Sequence, residues 1–570
     1  MEDYDVIIIG GGVNGLTTSA YLARSGLKTL VLEARGECGA HCDTTEPGLP
    51  GFTHNLHATW LIQAMSPCIE DLGLVDRFGL EHVTTEYCYA KTFQDGKNVL
   101  MGVDPLLTFN SWEKHSEKDA LFFMKAADYM MNNMEDAKGV FHDFLYLAPS
   151  EENLKATGNV ISNLMAACDM DLTFNQIWNM NGFDLSCKLF ESEYVRTLIQ
   201  SLTWIAGMPP IHPSVGSMGT LLTMLCGPFF PIHQTKGGSH ALTHSLVKAA
   251  TTYGARILPC CPVKEIIIQH GTAKGVQLSE HSVFPNEKIF AKKIISNLTL
   301  IPTFRHLIKE EHIGSKMAAI IDKFDYNEQN LFATYWALDG APQFASADYD
   351  DGIQRCYTGY FGGKDTEAMK RFNTDLVNRV IHPDIRANWF VPSLTDPTQA
   401  PEGCHTAFVW LDAPPQPKSW KHGALNGLPA WDDIKEKMAD QVAATFEKYA
   451  PGFKKLIKDQ IIYTPFDMQR NNPSAVLGNW LGGSVIPSQW YMNRPVKGVL
   501  NGGGSRTFVK NLYLSNSIHL FSYSGLSSGY IAASEVAEDM GTREQDWWTH
   551  KALEWYIDNM SEIPQNLGVR

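Results

Sequence analysis

Basic runs are missing from this chain of 570 residues, and its 47 Lys and Arg are outnumbered by 62 Asp and Glu, for a formal net charge of −15. Nucleic acid is therefore not an expected partner, because neutralising a phosphate backbone needs clustered cations. No window of about 18 uncharged apolar residues occurs, so no spanning helix is expected. The first strand-like run begins about five residues from Met1, which leaves no room for a cationic, apolar signal segment. These absences together predict a cytoplasmic protein. The 11 cysteines are odd in number and contain no C-x-x-C pair, which fits scattered reduced thiols better than a disulfide framework. No H-E-x-x-H or similar ligand spacing marks a metal site, and no G-x-S-x-G marks a nucleophile turn. Metal is accordingly absent from the expected cofactors.

What is present begins at the N-terminus. Asp5-Val-Ile-Ile-Ile-Gly10 reads as a buried parallel strand, and Gly10-x-Gly12-x-x-Gly15 follows it directly. Those glycines supply a tight turn, close approach to a pyrophosphate and close helix packing. A helix predicted over 13–25 points its free N–H groups at the phosphates. Gly26 closes it, Thr29 to Leu32 form the second strand, and that strand ends at Glu33, where the ribose-binding acid belongs. A carboxylate there accepts bonds from both ribose hydroxyls and repels a 2′-phosphate, which disfavours an NADP-type ligand. No second G-x-G-x-x-G follows to hold a nicotinamide donor, so Cys38 and Cys42, four residues apart, are read as ordinary thiols beside the pyrophosphate.

The chain is 44% hydrophobic, enough to bury two cores, and two interleaved domains are expected. Lys236-Gly237-Gly238-Ser239 leads into a predicted helix over 240–253, then strands over 255–258, 263–268, 274–278 and 289–297. Asn511 to Ser517 reads as a further strand, and Gly525-Leu-Ser-Ser528-Gly529 opens a helix of small residues. The predicted nucleotide domain is thus discontinuous, over 1–105, 231–300 and 471–540. The insertions 106–230 and 301–470 form a substrate domain. The first is helical and rich in Met and aromatics; the second carries strand-like runs at 331–338 and 406–411. The apolar run Leu221 to Ile232 suits the wall of an elongated apolar pocket, although Met and aromatic positions at such spacings also serve as plain core. The tail 541–570, with Trp547, Trp548, Trp555 and Tyr556, reads as an aromatic amphipathic helix. It packs on the protein, touches a membrane surface peripherally or forms an oligomer interface.

Taken in order, the fingerprint through Glu33, then Gly39, Thr45-Glu46 to Pro50-Gly51-Phe52-x-His54, Gly237-Gly238, Pro392-Ser393 to Asp396-Pro397 to Ala400-Pro401-x-Gly403-x-His405, and Leu512-Tyr-Leu to Gly525 and Gly529 span most of the chain. The sequence resembles the phytoene desaturase and carotenoid isomerase branch of the FAD-dependent amine oxidase superfamily, including its pyridine nucleotide-disulfide oxidoreductase domain relatives. The resemblance implies an α/β protein, α+β overall: a Rossmann-type FAD domain of the glutathione-reductase type interleaved with a mixed sheet-and-helix substrate domain. It implies FAD held by Gly10, Gly12, Val13, Asn14, Gly15, Glu33, Ala34, Gly39, Ala40 and Asn297. The backbone of Val263 then sits at the adenine, and Ser517, Ser528 and Gly529 approach the flavin end. The chain departs from the family where Gly39-Ala40-His41 replaces Gly-Gly-Arg, which removes an Arg-to-phosphate contact, and where Leu520 to Gly525 replaces a Pro-Gly turn.

By that analogy His54, His57, His519, Tyr523 and Lys236 stand near the flavin, with His57, Tyr523 and His519 the preferred proton-handling residues. A flavin takes the hydride while the protein supplies orientation and a proton acceptor. The expected activity is oxidation of an apolar terpenoid, carotenoid, polyene or acyl substrate by desaturation or dehydrogenation, with water addition a variant. Redox-neutral double-bond isomerisation and a non-catalytic flavin-binding role within an assembly are the alternatives. The electron acceptor is oxygen, a quinone or a partner flavoprotein.

Overall fold

The computed structural model describes residues 4–59, 61–225, 229, 233–421, 423–500, 504–516, 518 and 525–560. Two seven-stranded sheets organise them. The first is built on strand β1 (Tyr4–Ile9), whose apolar run is buried, as a strand covered on both faces must be. β1 pairs in parallel with β2 (Thr29–Leu32) on one side and with Lys288–Ser296 on the other. Arg256–Leu258 extends the sheet beyond β2, and Leu512–Leu514 also pairs in parallel with Lys288–Ser296. Val263–Gln269 and Thr272–Leu278 complete it as an antiparallel extension. Helix α1 (Val13–Arg24), the His240–Thr252 helix and the Ser527–Met540 helix pack together on one face. A second apolar cluster, including Ile7, Leu30, Ile294 and Leu512, fills the other face.

The second sheet runs Ile457–Tyr463, Leu331–Leu338, His405–Asp412, Ala387–Phe390, Thr358–Phe361, Tyr87–Thr92, Asn98–Gly102. It is antiparallel except where Thr358–Phe361 meets Tyr87–Thr92. Strands Tyr87–Thr92 and Asn98–Gly102 lie within the segment assigned by sequence to the nucleotide domain, yet their hydrogen bonds go to this second sheet. Helices Pro105–Glu113 and Glu193–Ile205 pack against Asn98–Gly102 at its edge.

The tail differs from the expected helix. Residues 541–553 carry no helix, and among the described residues of the tail Glu554–Asn559 alone is helical. Trp548 instead folds back onto Tyr21 at 4.5 Å between ring centroids, Arg543 lies over the Trp548 ring, and the His550 ring bonds to Asp71 at 2.8 Å. Its aromatics are thus spent largely on the nucleotide domain, with Trp548 and Tyr556 buried. No helix among the described residues is long and apolar enough to cross a membrane.

Candidate functional site

The turn after β1 assembles as its glycines require. Gly10 adopts φ +98°, a conformation costly for any side chain. A Cβ at Gly15 would fall 2.3 Å from the Gly10 carbonyl, so Gly15 permits the close seating of α1 rather than ligand contact. Gly12 caps α1 with no side-chain bond, and the first turn carries no acid, so its amides are left to a ligand anion. Asn297 closes the turn from the neighbouring strand, its amide donating to the Gly10 carbonyl at 3.2 Å. Glu33, 8% exposed, accepts from the backbone amides of Gly11 at 2.7 Å and Arg35 at 2.8 Å. These bonds fix the carboxylate while leaving lone pairs for ribose hydroxyls.

A cleft opens over this turn. Of the residues expected at the cofactor, Gly10, Gly12, Val13, Asn14, Glu33, Ala34, Gly39, Ala40, Val263 and Asn297 line it. Ser528 and Gly529 are used differently. The Gly529 amide donates to the Asn14 side chain at 2.9 Å, and a Cβ there would fall 2.6 Å from the Asn14 carbonyl, so Gly529 joins two helices; Ser528 is buried beside it. Ser517, His519 and Tyr523 lie outside the described residues, as does Phe230 of the apolar run. The segment Asn471 to Ala475, with Pro302 and His306, also lines the cleft. No sequence motif marked it, because its place is set by the return of the chain from the second sheet.

A second cavity adjoins the first, and His41 lines both. Its walls come from the segment Leu56 to Thr59, from Ile205 and Ala206, from Leu331, Ala333 and Tyr335 on one strand, and from Trp410, Tyr463, Met468, Trp480 and Leu481. Alternation along the Leu331–Leu338 strand places Leu331, Ala333 and Tyr335 on this one face. Tyr335 donates to the Leu56 carbonyl and holds the His57 segment against the sheet. None of the described lining residues is charged.

His57 is buried in this chamber, 4.7 Å from His41 and 5.2 Å from Tyr463 between ring centroids. Neither of its nitrogens has a hydrogen-bond partner among the described residues. Burial, with a lesser effect of Arg35, drives its pKa down to about 3. Burial and then the neighbouring His57 bring His41 to about 3, while its Nε2 faces the Asn472 amide at 3.3 Å. His54 lies behind, its ring 5.8 Å from Tyr335, with burial lowering it to about 4. It does not line the chamber. Lys236 is placed far from any proton-transfer role: half exposed, it pairs with Glu81 at 2.8 Å on the surface. Cys38 and Cys42 are free thiols that burial pushes up to about 12, which leaves them unreactive at neutral pH. Leu221, Leu222 and Leu225 wall a separate apolar cavity between helices, with Phe141, Phe144 and Met218.

Comparison with known proteins agrees with this geometry. A family model described as an NAD(P)-binding Rossmann-like domain matches residues 8–77. A component of the limonene dehydrogenase of Castellaniella defragrans is 26% identical over 96% of this chain and 97% of its own. Pyridine nucleotide-disulfide oxidoreductase domain-containing protein 2 of Rattus norvegicus is 27% identical over 90% of each chain. Phytoene desaturase of Fusarium fujikuroi is 24% identical over 98% of this chain and 94% of its own. Among solved structures, an oxidoreductase from Methanosarcina mazei shares the fold with a TM-score of 0.57 at 14% identity, covering 94% of this chain and all of that one. A putrescine oxidase variant gives 0.57 at 11% identity, covering 95% and 99%. The nucleotide cleft and these full-length similarities to a limonene dehydrogenase component and a phytoene desaturase mark the chain as an oxidoreductase with a site for a flavin-type cofactor, and the solved structures share its fold.

Proposed function

We propose that the protein is an FAD-dependent dehydrogenase or desaturase of an apolar, terpenoid-like hydrocarbon. Supporting FAD is Glu33, fixed at the position that receives an adenosine ribose, together with an uncapped α1 turn for a pyrophosphate. The observation that carries the activity is the chamber joined to the cleft at His41, with no charged side chain among its described lining and with the His57 imidazole, which has no hydrogen-bond partner among the described residues. Desaturation takes a hydride from one carbon and a proton from its neighbour, leaving a double bond between them. When bound, FAD supplies the acceptor for the hydride. The chain's own contribution is to seat the hydrocarbon against Leu331, Ala333 and Leu481, exclude water, and take the proton at a ring nitrogen of His57. Burial holds that ring neutral near pH 7, so a lone pair is available. The similarity to a limonene dehydrogenase component makes a monoterpene the first substrate to try.

The test is anaerobic mixing of oxidised protein with limonene and larger polyenes. Bleaching of the flavin band in one turnover, with colour restored by a quinone or air, supports the proposal. Faster bleaching by small amines would overturn the substrate class. Turnover only after prior reduction, without bleaching, would instead identify an isomerase.

A further inference from the structure

Between the loop that follows β2 and the His240–Thr252 helix, three ligating side chains converge. His240 and His244 stand one turn apart on the same face of the His240–Thr252 helix. Glu37 reaches them from the loop. The His240 Nε2 lies 2.8 Å and the His244 Nε2 3.5 Å from the same Glu37 Oε1, and the ligand atoms of all three residues fall within 4.8 Å of one another. This corrects the sequence reading that no such ligand spacing occurs: His240-Ala-Leu-Thr-His244 has the i, i+4 spacing, although its third member, 203 residues from His240, was not recognisable there.

The orientation of His240 decides what this cluster is for. Its Nδ1 lies 3.0 Å from the Cys42 carbonyl, which can only accept, so Nδ1 carries a hydrogen and Nε2 is the nitrogen directed at Glu37. The same carbonyl accepts from the Thr243 hydroxyl at 2.9 Å, so it is itself held in place. A backbone carbonyl fixing the remote nitrogen is the usual support of a metal-bound imidazole. The two imidazoles can each donate an N–H to that carboxylate oxygen, and with Nε2 deprotonated the same three groups converge as ligands on one divalent ion.

We propose that Glu37, His240 and His244 form a site for a divalent cation of the zinc class, which ties the loop flooring the nucleotide cleft to the His240–Thr252 helix. Two imidazoles and a carboxylate are a donor set that zinc and its neighbours favour over calcium or magnesium. His240 is buried, and Glu37 and His244 are exposed, so the ion enters from solvent and keeps a position for water. Residues Arg35, Gly39, Ala40, His41 and Cys42 of the tied loop all line the cleft. The site stands on its own geometry and does not depend on the hydrocarbon-oxidation proposal.

The experiment uses the full chain with its cofactor, stripped of metal with EDTA, then titrated with Zn²⁺ in competition with a chromophoric chelator. One equivalent per chain is expected, together with a Zn²⁺-dependent rise in Tm. His244→Ala and Glu37→Gln, both at exposed positions, should each weaken binding by about 10-fold or more and abolish the rise in Tm, with circular dichroism unchanged. Co²⁺ in place of Zn²⁺ should give absorption beyond the flavin band that both variants lose. Absence of a one-equivalent site overturns the proposal, as does equal affinity in wild type and both variants, which would move the metal to the thiols.

Discussion

Replacing His57 by leucine separates a reactive imidazole from a structural one, because the two roles predict opposite changes in stability. The ring is buried and both nitrogens lack partners among the described residues. It has given up hydration without replacement, at a cost of about 1–3 kcal/mol that an apolar side chain of similar size does not carry. The pH dependence sharpens the test. Burial lowers the folded-state pKa from the ordinary 6.5 to about 3, so as pH falls the unfolded chain takes up the proton first. The stability associated with the neutral ring is therefore complete above pH 6.5 and lost progressively from there toward 3. At pH 5.5 the loss is about 1.4 kcal/mol and at pH 7.5 it is close to zero. His57→Leu should therefore stabilise the protein at both values, and by about 1.4 kcal/mol more at pH 5.5. Packing changes cancel in that difference. Urea unfolding followed by tryptophan fluorescence at the two pH values measures it, and substrate-dependent flavin bleaching should slow about 100-fold in the same variant. Equal stabilisation at both pH values would refute the buried neutral ring. A loss of several kcal/mol would reveal a hydrogen-bonded structural histidine, and an unchanged bleaching rate would remove His57 from proton transfer.

Other substitutions test other parts of the site. Gly12→Val sets a branched side chain at the α1 cap, against Asn297 and the expected pyrophosphate, and should lower the flavin-to-protein absorbance ratio at least about 10-fold while far-ultraviolet circular dichroism persists; full flavin content would contradict the assignment of the cleft. Ala333→Phe fills the chamber from the Leu331–Leu338 strand and should raise KM for hydrocarbons with flavin content intact, measured by steady-state kinetics. Asp412→Asn leaves buried Arg386 without its ion-pair partner and should cost about 3–5 kcal/mol in urea unfolding, whatever the activity of the protein.

What could be read from the sequence was what the chain encodes over short distances. The fingerprint, α1, β2 and Glu33 occupy consecutive positions, so local spacing alone predicts their geometry, and α1 ends within a residue of its expected limit. Strand Leu331–Leu338 was likewise legible from its β-branched and aromatic run. Pairing over long distances was not. Nothing within Tyr87–Thr92 announces that its partner is Thr358–Phe361, and the move of this strand into the second sheet follows from that pairing. His57 was identifiable by analogy, but its neighbours Tyr463 and Trp480 come from the far side of the second insertion. Lys236 illustrates the opposite failure: adjacency to Gly237 suggested the site, whereas the turn directs its side chain outward to Glu81. The aromatic tail misled because amphipathic spacing does not distinguish a helix from an irregular segment wrapped over a surface.

The chamber's chemistry also bears on which oxidation it supports. Tyr335, Trp410, Tyr463 and Trp480 line it, and an aromatic face turned inward would attract a cation, whether it arrives with the substrate or forms during reaction. The two cases differ in their cost. An ammonium substrate must be stripped of water on entry, at several kcal/mol, and no described lining residue offers a carboxylate to offset this. A hydrocarbon enters neutral, and positive character develops only as hydride departs, when the ring faces are already in place. Stabilisation confined to the reacting state raises the rate without tightening substrate binding. On the proposed reading, a neutral His57 beside that developing charge would remove the adjacent proton, which would favour a double bond over capture by water. The uncharged described lining and an imidazole without a hydrogen-bond partner among the described residues would then act in the same direction, toward desaturation of a hydrocarbon and away from oxidation of an amine.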